Sequence, residues 1–418
     1  MLNRPDALNA LTTEMVAGMT AALEAWRDDD AVGTVLLTGA GERGLCAGGD
    51  IVAIYDDARD GGSRSQDFWR AEYRLNALIA GYPKPYVAIQ DGVVLGGGIG
   101  VSAHGDIRIV TETSQLGMPE PAIGFVPDVG GTWLLARAPG QLGTHLALTA
   151  GTVGAADAIL LGLSDHFVAR DRLGTFTAAL ERAAAADVVA RFSSPPPPGT
   201  LAEAASWVDR AYGGDTVASI LSALVAEGTA AALDARAAIL AASPTALAVT
   251  LASLRRAARA GDLETVLDQE FRVSLRCLRE PDLAEGIRAR VIDKDRRPIW
   301  MPPAVDEVTD DLVEAFFAPL GEGELGLGKS RARVNHTEQV QDGRMSEHEN
   351  SDTGSNASGS QSGGSAQTWD SVDSGMSDDV ENSLTGQGIS DRETTAETAR
   401  TESDRRARGA SESGESGS

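Results

Sequence analysis

Between Thr12 and Arg27, apolar side chains recur at Met15, Met19, Ala22, Leu23 and Trp26. That three-and-four spacing puts one face of a helix against a core. A polar stretch follows, and then Thr34 to Thr38, a short β-branched and leucine-rich run, predicts a buried strand. Tyr86 to Gln90 and Ile107 to Val110 predict two more strands, with helical spacing between, as around Phe68 to Ala80. Strands alternating with helices predict an α/β architecture. The run SSPPPPGT, from Ser193 to Thr200, cannot continue a helix because proline lacks an amide hydrogen and clashes with the preceding turn, so it reads as a stiff linker. Leu201 to Leu278 is an alanine- and leucine-rich helical pattern almost throughout. Near Gly328 the apolar periodicity stops, and Ser, Gly, Thr, Asp, Glu and Asn take over. Such a segment has too little apolar surface to offset its ordering entropy. The pattern thus predicts an α/β core over 1–192, a proline-rich linker over 193–200, a helical region over 201–327 and a disordered acidic tail over 328–418.

Composition narrows the function. Of 418 residues, 42% are hydrophobic, enough for a sizeable core. A formal net charge of -25 argues against nucleic acid or an anionic membrane surface as a partner, so any anionic ligand has to be held locally. The chain shows neither a charged-then-apolar leader nor a run of about 18 apolar residues, and a cytoplasmic location is the expectation. Two cysteines, Cys46 and Cys277, stand far apart in no metal-ligand spacing, which predicts neither a disulfide framework nor a metal site.

Glycine loops carry the candidate chemistry. GAGERG, Gly39 to Gly44, follows a strand and matches the dinucleotide fingerprint, but the chain continues as LCAGGD where a helix should open, so a turn is the better reading. CAGGD (Cys46 to Asp50) and LGGGIG (Leu95 to Gly100) remain. Glycines let backbone amides at a helix start face a developing oxyanion; a tight packing turn would use them equally well.

In order along the chain, LNRPDALNALT, LCAGGDI, KPYVAIQDGVVLGGGIGVSAHGDIRI, MPEPAIGFVPDVGGT and EGIRARVIDKDRRPIW resemble the crotonase (enoyl-CoA hydratase/isomerase) superfamily over about residues 1 to 320. Within it they look most like the 3-hydroxyisobutyryl-CoA hydrolases. The resemblance implies a spiral of ββα units followed by a helical region, with acyl-CoA bound between them. It implies no cofactor, coenzyme A being part of the substrate, and an oxyanion hole from the amides of Gly49 and Gly97. It also implies thioester hydrolysis in valine breakdown. A hydratase uses two glutamates; Glu120 fills one place, but the other is Gly100, which can neither donate nor accept a proton. The hydrolase pattern instead implies Glu120 as nucleophile or general base, Asp128 orienting the substrate hydroxyl, and Glu72 lining the acyl pocket.

From the residues alone, Glu72 reads as a solvated-face or salt-bridge carboxylate, and Asp128 equally as a turn or N-cap residue. His104 reads as a packed structural histidine, and Arg4, Arg43, Lys84 and Lys294 stay unassigned as partners of the CoA phosphates. Relatives carry a strand before LNRP, whereas Met1 here directly precedes Leu2, so the expectation is an unpaired sheet edge or a misassigned start. A hydratase or isomerase and a non-catalytic acyl-CoA-binding protein are the competing readings. Crotonase relatives commonly assemble as trimers or hexamers, and a homo-oligomer is left open.

Overall fold

The computed structural model describes residues 1–328, so the tail expected from 328 onward lies, but for Gly328, outside the described residues. Two four-stranded sheets organise the first half. β1 (Val35–Leu37), β3 (Tyr86–Gln90), β5 (Ile107–Val110) and β8 (His166–Phe167) lie in the order β1-β3-β5-β8, all parallel. The second sheet holds β2 (Gly44–Cys46), β4 (Val93–Leu95), β6 (Gln115–Gly117) and β7 (Thr152–Val153) in that order, with only the β6–β7 pair antiparallel. β3 and β5 coincide with the expected segments, and β1 lies within its own. They were legible because they are rich in aliphatic and β-branched residues, β3 being buried throughout. Leu2 forms a single parallel bridge to Gly39 beyond the end of β1.

The helices of this half are α1 (Thr13–Arg27), α2 (Ile51–Asp60), α3 (Arg64–Ala80), α4 (Gly97–Ser102), α5 (Gly131–Leu135), α6 (Leu142–Thr149), α7 (Ala155–Leu160), α8 (Leu173–Leu180) and α9 (Ala185–Phe192). α8 and α9 cover one face of the first sheet, where Val87, Ile89 and Ile109 meet Phe176, Val188 and Phe192. GAGERG forms a turn running into β2, and the next helix starts only at Ile51, so no helix N-terminus stands where a dinucleotide would need one.

SSPPPPGT runs without helix or strand and is pinned at both ends. Ser194 N donates to Phe167 O, and the Asp157 carboxylate accepts from Thr200 N and Leu201 N. Then come α10 (Leu201–Tyr212), α11 (Val217–Glu227), α12 (Ala230–Ala241), α13 (Pro244–Ala257), α14 (Leu263–Cys277), α15 (Pro281–Ile287) and α16 (Asp310–Phe316). No single helix among the described residues is long and apolar enough to cross a membrane. One large apolar cluster runs from Leu37 and Tyr73 in the sheet half to Phe271 and Phe316 in the helical half, so the two share a core.

Candidate active site

α3 turns Phe68, Trp69, Glu72, Tyr73, Leu75, Asn76 and Ile79 inward. Beyond Ser65 in its first turn, its buried face is therefore apolar apart from Glu72, the Tyr73 hydroxyl and Asn76. Opposite, β4 turns at Gly96, with φ 47°, into the short helix α4. Side chains are excluded there for a physical reason: a Cβ on Gly96 would lie 2.7 Å from Glu120 Oε1, and one on Gly97 would lie 2.6 Å from Glu72 Oε1. Two buried carboxylates thus press on one Gly-Gly step. The CAGGD loop closes the same corner, a Cβ on Gly48 falling 3.7 Å from Gly97 N. Neither the Gly49 nor the Gly97 amide donates a hydrogen bond to an acceptor among the described residues.

Glu120 opens a 3-10 turn, Glu120–Ile123, between Pro119 and Pro121. Both prolines fix their own φ, and each restricts the residue before it, so the carboxylate stands on stiff backbone. Asp128 begins a turn, as the residues alone suggested, but with a backbone conformation that the sequence did not reveal. Val129 is held at φ 53°, costly for a β-branched residue, followed by Gly130 at φ 80°. The surroundings over-determine this conformation. His104 Nε2 donates to Val129 O at 2.8 Å, and Glu270 of α14 accepts from Gly130 N at 2.6 Å, from Thr132 N at 3.0 Å and from Thr132 Oγ1 at 2.5 Å. Tyr73 donates its hydroxyl to Asp128 Oδ2 at 2.6 Å and lies 2.7 Å from Ser274 Oγ. Having given its one proton to Asp128, Tyr73 must accept from Ser274.

The electrostatics follow from burial. Glu72 is pushed well above the usual carboxylate range by desolvation and by the charge of Asp128. Glu120 is raised by burial, then by Asp128, Glu270 and Glu72. Burial lifts Asp128 to about 7 against the Tyr73 hydrogen bond, and Glu270 to about 8 against its bonds from Thr132 and Gly130. Burial drops His104 to about 4, which leaves it a neutral ring.

The structure therefore brings Glu72, Gly97, Glu120 and Asp128 together, with Gly49 on the adjoining loop. Sequence reasoning missed Tyr73, Asn76, Ser274 and Glu270. A charged residue on the core-facing side of α14, between Val266, Leu267 and Phe271, was the signal available for Glu270. Three of the unassigned cations have structural partners: Arg4 pairs with Asp50 at 2.8 Å, Arg43 donates to Pro5 O and Asp6 O, and Lys84 donates to Trp26 O and Asp29 O. No group of three or more His, Cys, Asp or Glu side chains that could hold a metal ion occurs among the described residues.

A ββα spiral with two glycine loops meeting beneath a helical cap defines the class of protein. The profile of the enoyl-CoA hydratase/isomerase family matches residues 1–317, and the chain belongs to that family. Among relatives, the mitochondrial 3-hydroxyisobutyryl-CoA hydrolase of Xenopus laevis is 37% identical over 337 residues, which cover 78% of this chain and 87% of that one. Among solved structures, a carnitinyl-CoA dehydratase from Mycobacterium thermoresistibile superposes with a TM-score of 0.74 at 53% identity, covering 76% of this chain and 92% of that one. An enoyl-CoA hydratase from Rhodobacter sphaeroides 2.4.1 gives a TM-score of 0.74 at 43% identity, covering 78% and 95%. The relatives correct the cytoplasmic expectation, since the hydrolases of Xenopus laevis and of Bos taurus are mitochondrial by name. That expectation rested on a missing apolar leader and a missing spanning run, and neither bears on import into an organelle.

Proposed function

We propose that the chain hydrolyses the thioester of 3-hydroxyisobutyryl-CoA to 3-hydroxyisobutyrate and CoA, a step of valine catabolism, with coenzyme A entering as part of the substrate and no separate cofactor. The carrying observation is Glu120, buried and pressed against the Gly96–Gly97 step, beside the hydrolase-pattern carboxylates Asp128 and Glu72. The Gly49 and Gly97 amides receive the carbonyl oxygen as negative charge develops on it; removing one preorganised donor of this kind typically costs roughly a hundred- to a thousandfold in rate. Glu120 then works in one of two ways. As nucleophile, its carboxylate bonds to the carbonyl carbon, the C–S bond breaks, the thiolate leaves and is protonated, and water hydrolyses the resulting anhydride. As general base, it takes a proton from the water that attacks. Either role needs the ionised form, so the rate rises with pH as the raised carboxylates lose their protons. Label found in the Glu120 carboxylate after single turnover in oxygen-18 water identifies the anhydride route, with water attacking the Glu120 carboxyl carbon, because general-base hydrolysis puts the label in the product alone. Asp128 orients the acyl hydroxyl and Glu72 lines the acyl pocket.

Hydration of an enoyl-CoA, suggested by the names of the two solved structures, is disfavoured at Gly100. A Cβ there would fall 2.6 Å from Val129 Cβ, so the second glutamate of a hydratase has no room. The test is release of free thiol from 3-hydroxyisobutyryl-CoA by the purified chain, with crotonyl-CoA followed in parallel by its enoyl absorbance. Thiol release without enoyl consumption is expected. Enoyl consumption without thiol release would move the assignment to a hydratase, and CoA binding with silence in both would make the chain a binding protein.

A further inference from the structure

Asn76 lies one turn beyond Glu72 on the inward face of α3 and is 0% exposed, yet neither end of its amide has a hydrogen-bond partner. Glu72 Oε1 and Glu120 Oε2 share that condition. A buried amide unpaired at both ends destabilises the protein, and leucine would fill the space without that cost. Its position shows what the amide is for. A Cβ on Gly100 would lie 2.9 Å from Asn76 Nδ2 and 2.6 Å from Cβ of Val129, the residue after Asp128. The Asn76 amide and the Asp128–Val129 turn therefore meet at one point, the place from which a hydratase's second glutamate would project. Where that carboxylate would exchange a proton with water, an amide can only donate and accept hydrogen bonds.

We propose that Asn76 is a specificity-determining residue whose Nδ2 donates to the oxygen of the substrate's acyl hydroxyl while that hydroxyl donates to Asp128; this deepens the hydrolase reading above and rests on it. Ionised Asp128 is an acceptor only, and its Oδ2 already takes the Tyr73 proton. It satisfies the hydroxyl's hydrogen and leaves the hydroxyl oxygen without a donor. Asn76 supplies one. A site built this way discriminates against an acyl group without the hydroxyl, because the amide then stays unpaired.

The test compares kcat/KM for 3-hydroxyisobutyryl-CoA and for isobutyryl-CoA in the full chain and in Asn76→Leu, with the thermal midpoint measured alongside. The wild type is expected to favour the hydroxylated thioester. Asn76→Leu is expected to reduce that preference on the order of a hundredfold, chiefly by losing rate on the hydroxylated substrate, with a thermal midpoint no lower than that of the wild type. An equal loss on both substrates, or an unchanged preference, overturns the assignment while the hydrolase reading stands. A wild type inert on both thioesters overturns the hydrolase reading and this one with it. If Asn76→Leu does not fold, Asn76→Ser, too short to reach the hydroxyl, is expected to lose the same preference, and retention of it overturns the proposal.

Discussion

Every residue from Met118 to Thr132 is buried, yet the segment contains little more than one 3-10 turn and the start of α5; α10, α11 and α12 each bury a single stripe and are regular helices. A helix satisfies its own backbone and needs help only at its ends, as Thr216 and Ser219 provide in the capping box of α11. An irregular buried segment closes only a few turns on itself, as Phe125 N to Glu120 O and Gly131 N to Asp128 O do here, and has to borrow further partners. Glu270, His104, Ser243 and Arg290 are among those that supply them here, Ser243 N reaching Pro121 O at 3.1 Å and Arg290 Nε reaching Ala122 O at 2.9 Å. Glu120 and Asp128 stand where backbone regularity is given up, α3 and α14 lend buried polar side chains to the same site, and α10, α11 and α12 serve as the frame.

Substitutions in the two regions should separate sharply. Glu120→Gln is expected to lower kcat about a thousandfold while leaving the thermal midpoint unchanged or raised, since it removes a carboxylate crowded by three others. Retained hydrolysis would place the chemistry elsewhere. Glu270→Gln comes next. Its new NH2 cannot accept from Gly130 N, and the unpaired amide should cost about 1–3 kcal/mol in denaturant unfolding at pH 6, with a lower rate as the Asp128 turn loosens. The pH dependence has a definite sign. Glu270 and Asp128 are raised to about 8 and about 7, so their protonated forms favour the folded state, and that stability is fully present below the unfolded carboxylate range near 4. It is lost as pH rises toward about 8, and Glu270→Gln should flatten the loss. A wild type whose stability rises over that window would contradict the burial of these groups as acids.

Smaller changes sharpen the contrast. Gly100→Ala puts a methyl 2.6 Å from Val129 Cβ and should cost about 1–3 kcal/mol by overpacking, together with activity. On the frame side, Thr216→Ala should cost about 1 kcal/mol through the lost cap, with kcat and KM unchanged. If it shifted kcat, the separation of frame and site would fail.

Legibility divided along the same line. β3 and β5 showed as short β-branched-rich segments and α3 as a periodic face, because each is specified by its own few residues. The second sheet was hidden in strands of two or three residues, too short to show a period. Glu120, Asp128, Gly49 and Gly97 were reached through an ordered series of motifs; alone, each reads as a turn residue. The positive φ of Val129 had no local signal, since nothing in PDVGG says that a valine will be forced left-handed. The roles of Glu270 and Ser274 were unreadable for a different reason: Glu270 showed only as a charge on a core-facing helix side, the partners of both lie far away in sequence, and only the folded core brings α14 against α3, where Tyr73 meets Phe271 edge to face at 6.1 Å.

The grip of Glu270 on the Gly130 and Thr132 amides also bears on modularity. The proline run at Ser193 to Thr200 looks like a seam along which a smaller enzyme could be cut. Residues on both sides of that seam build a single turn of backbone, so the front piece would keep Glu120 and Asp128 but lose the two side chains, Glu270 and Ser274, that α14 contributes to the turn and its hydrogen-bond relay. Catalytic competence here belongs to the assembled chain, and shortening or exchanging the helical cap amounts to redesigning the centre itself.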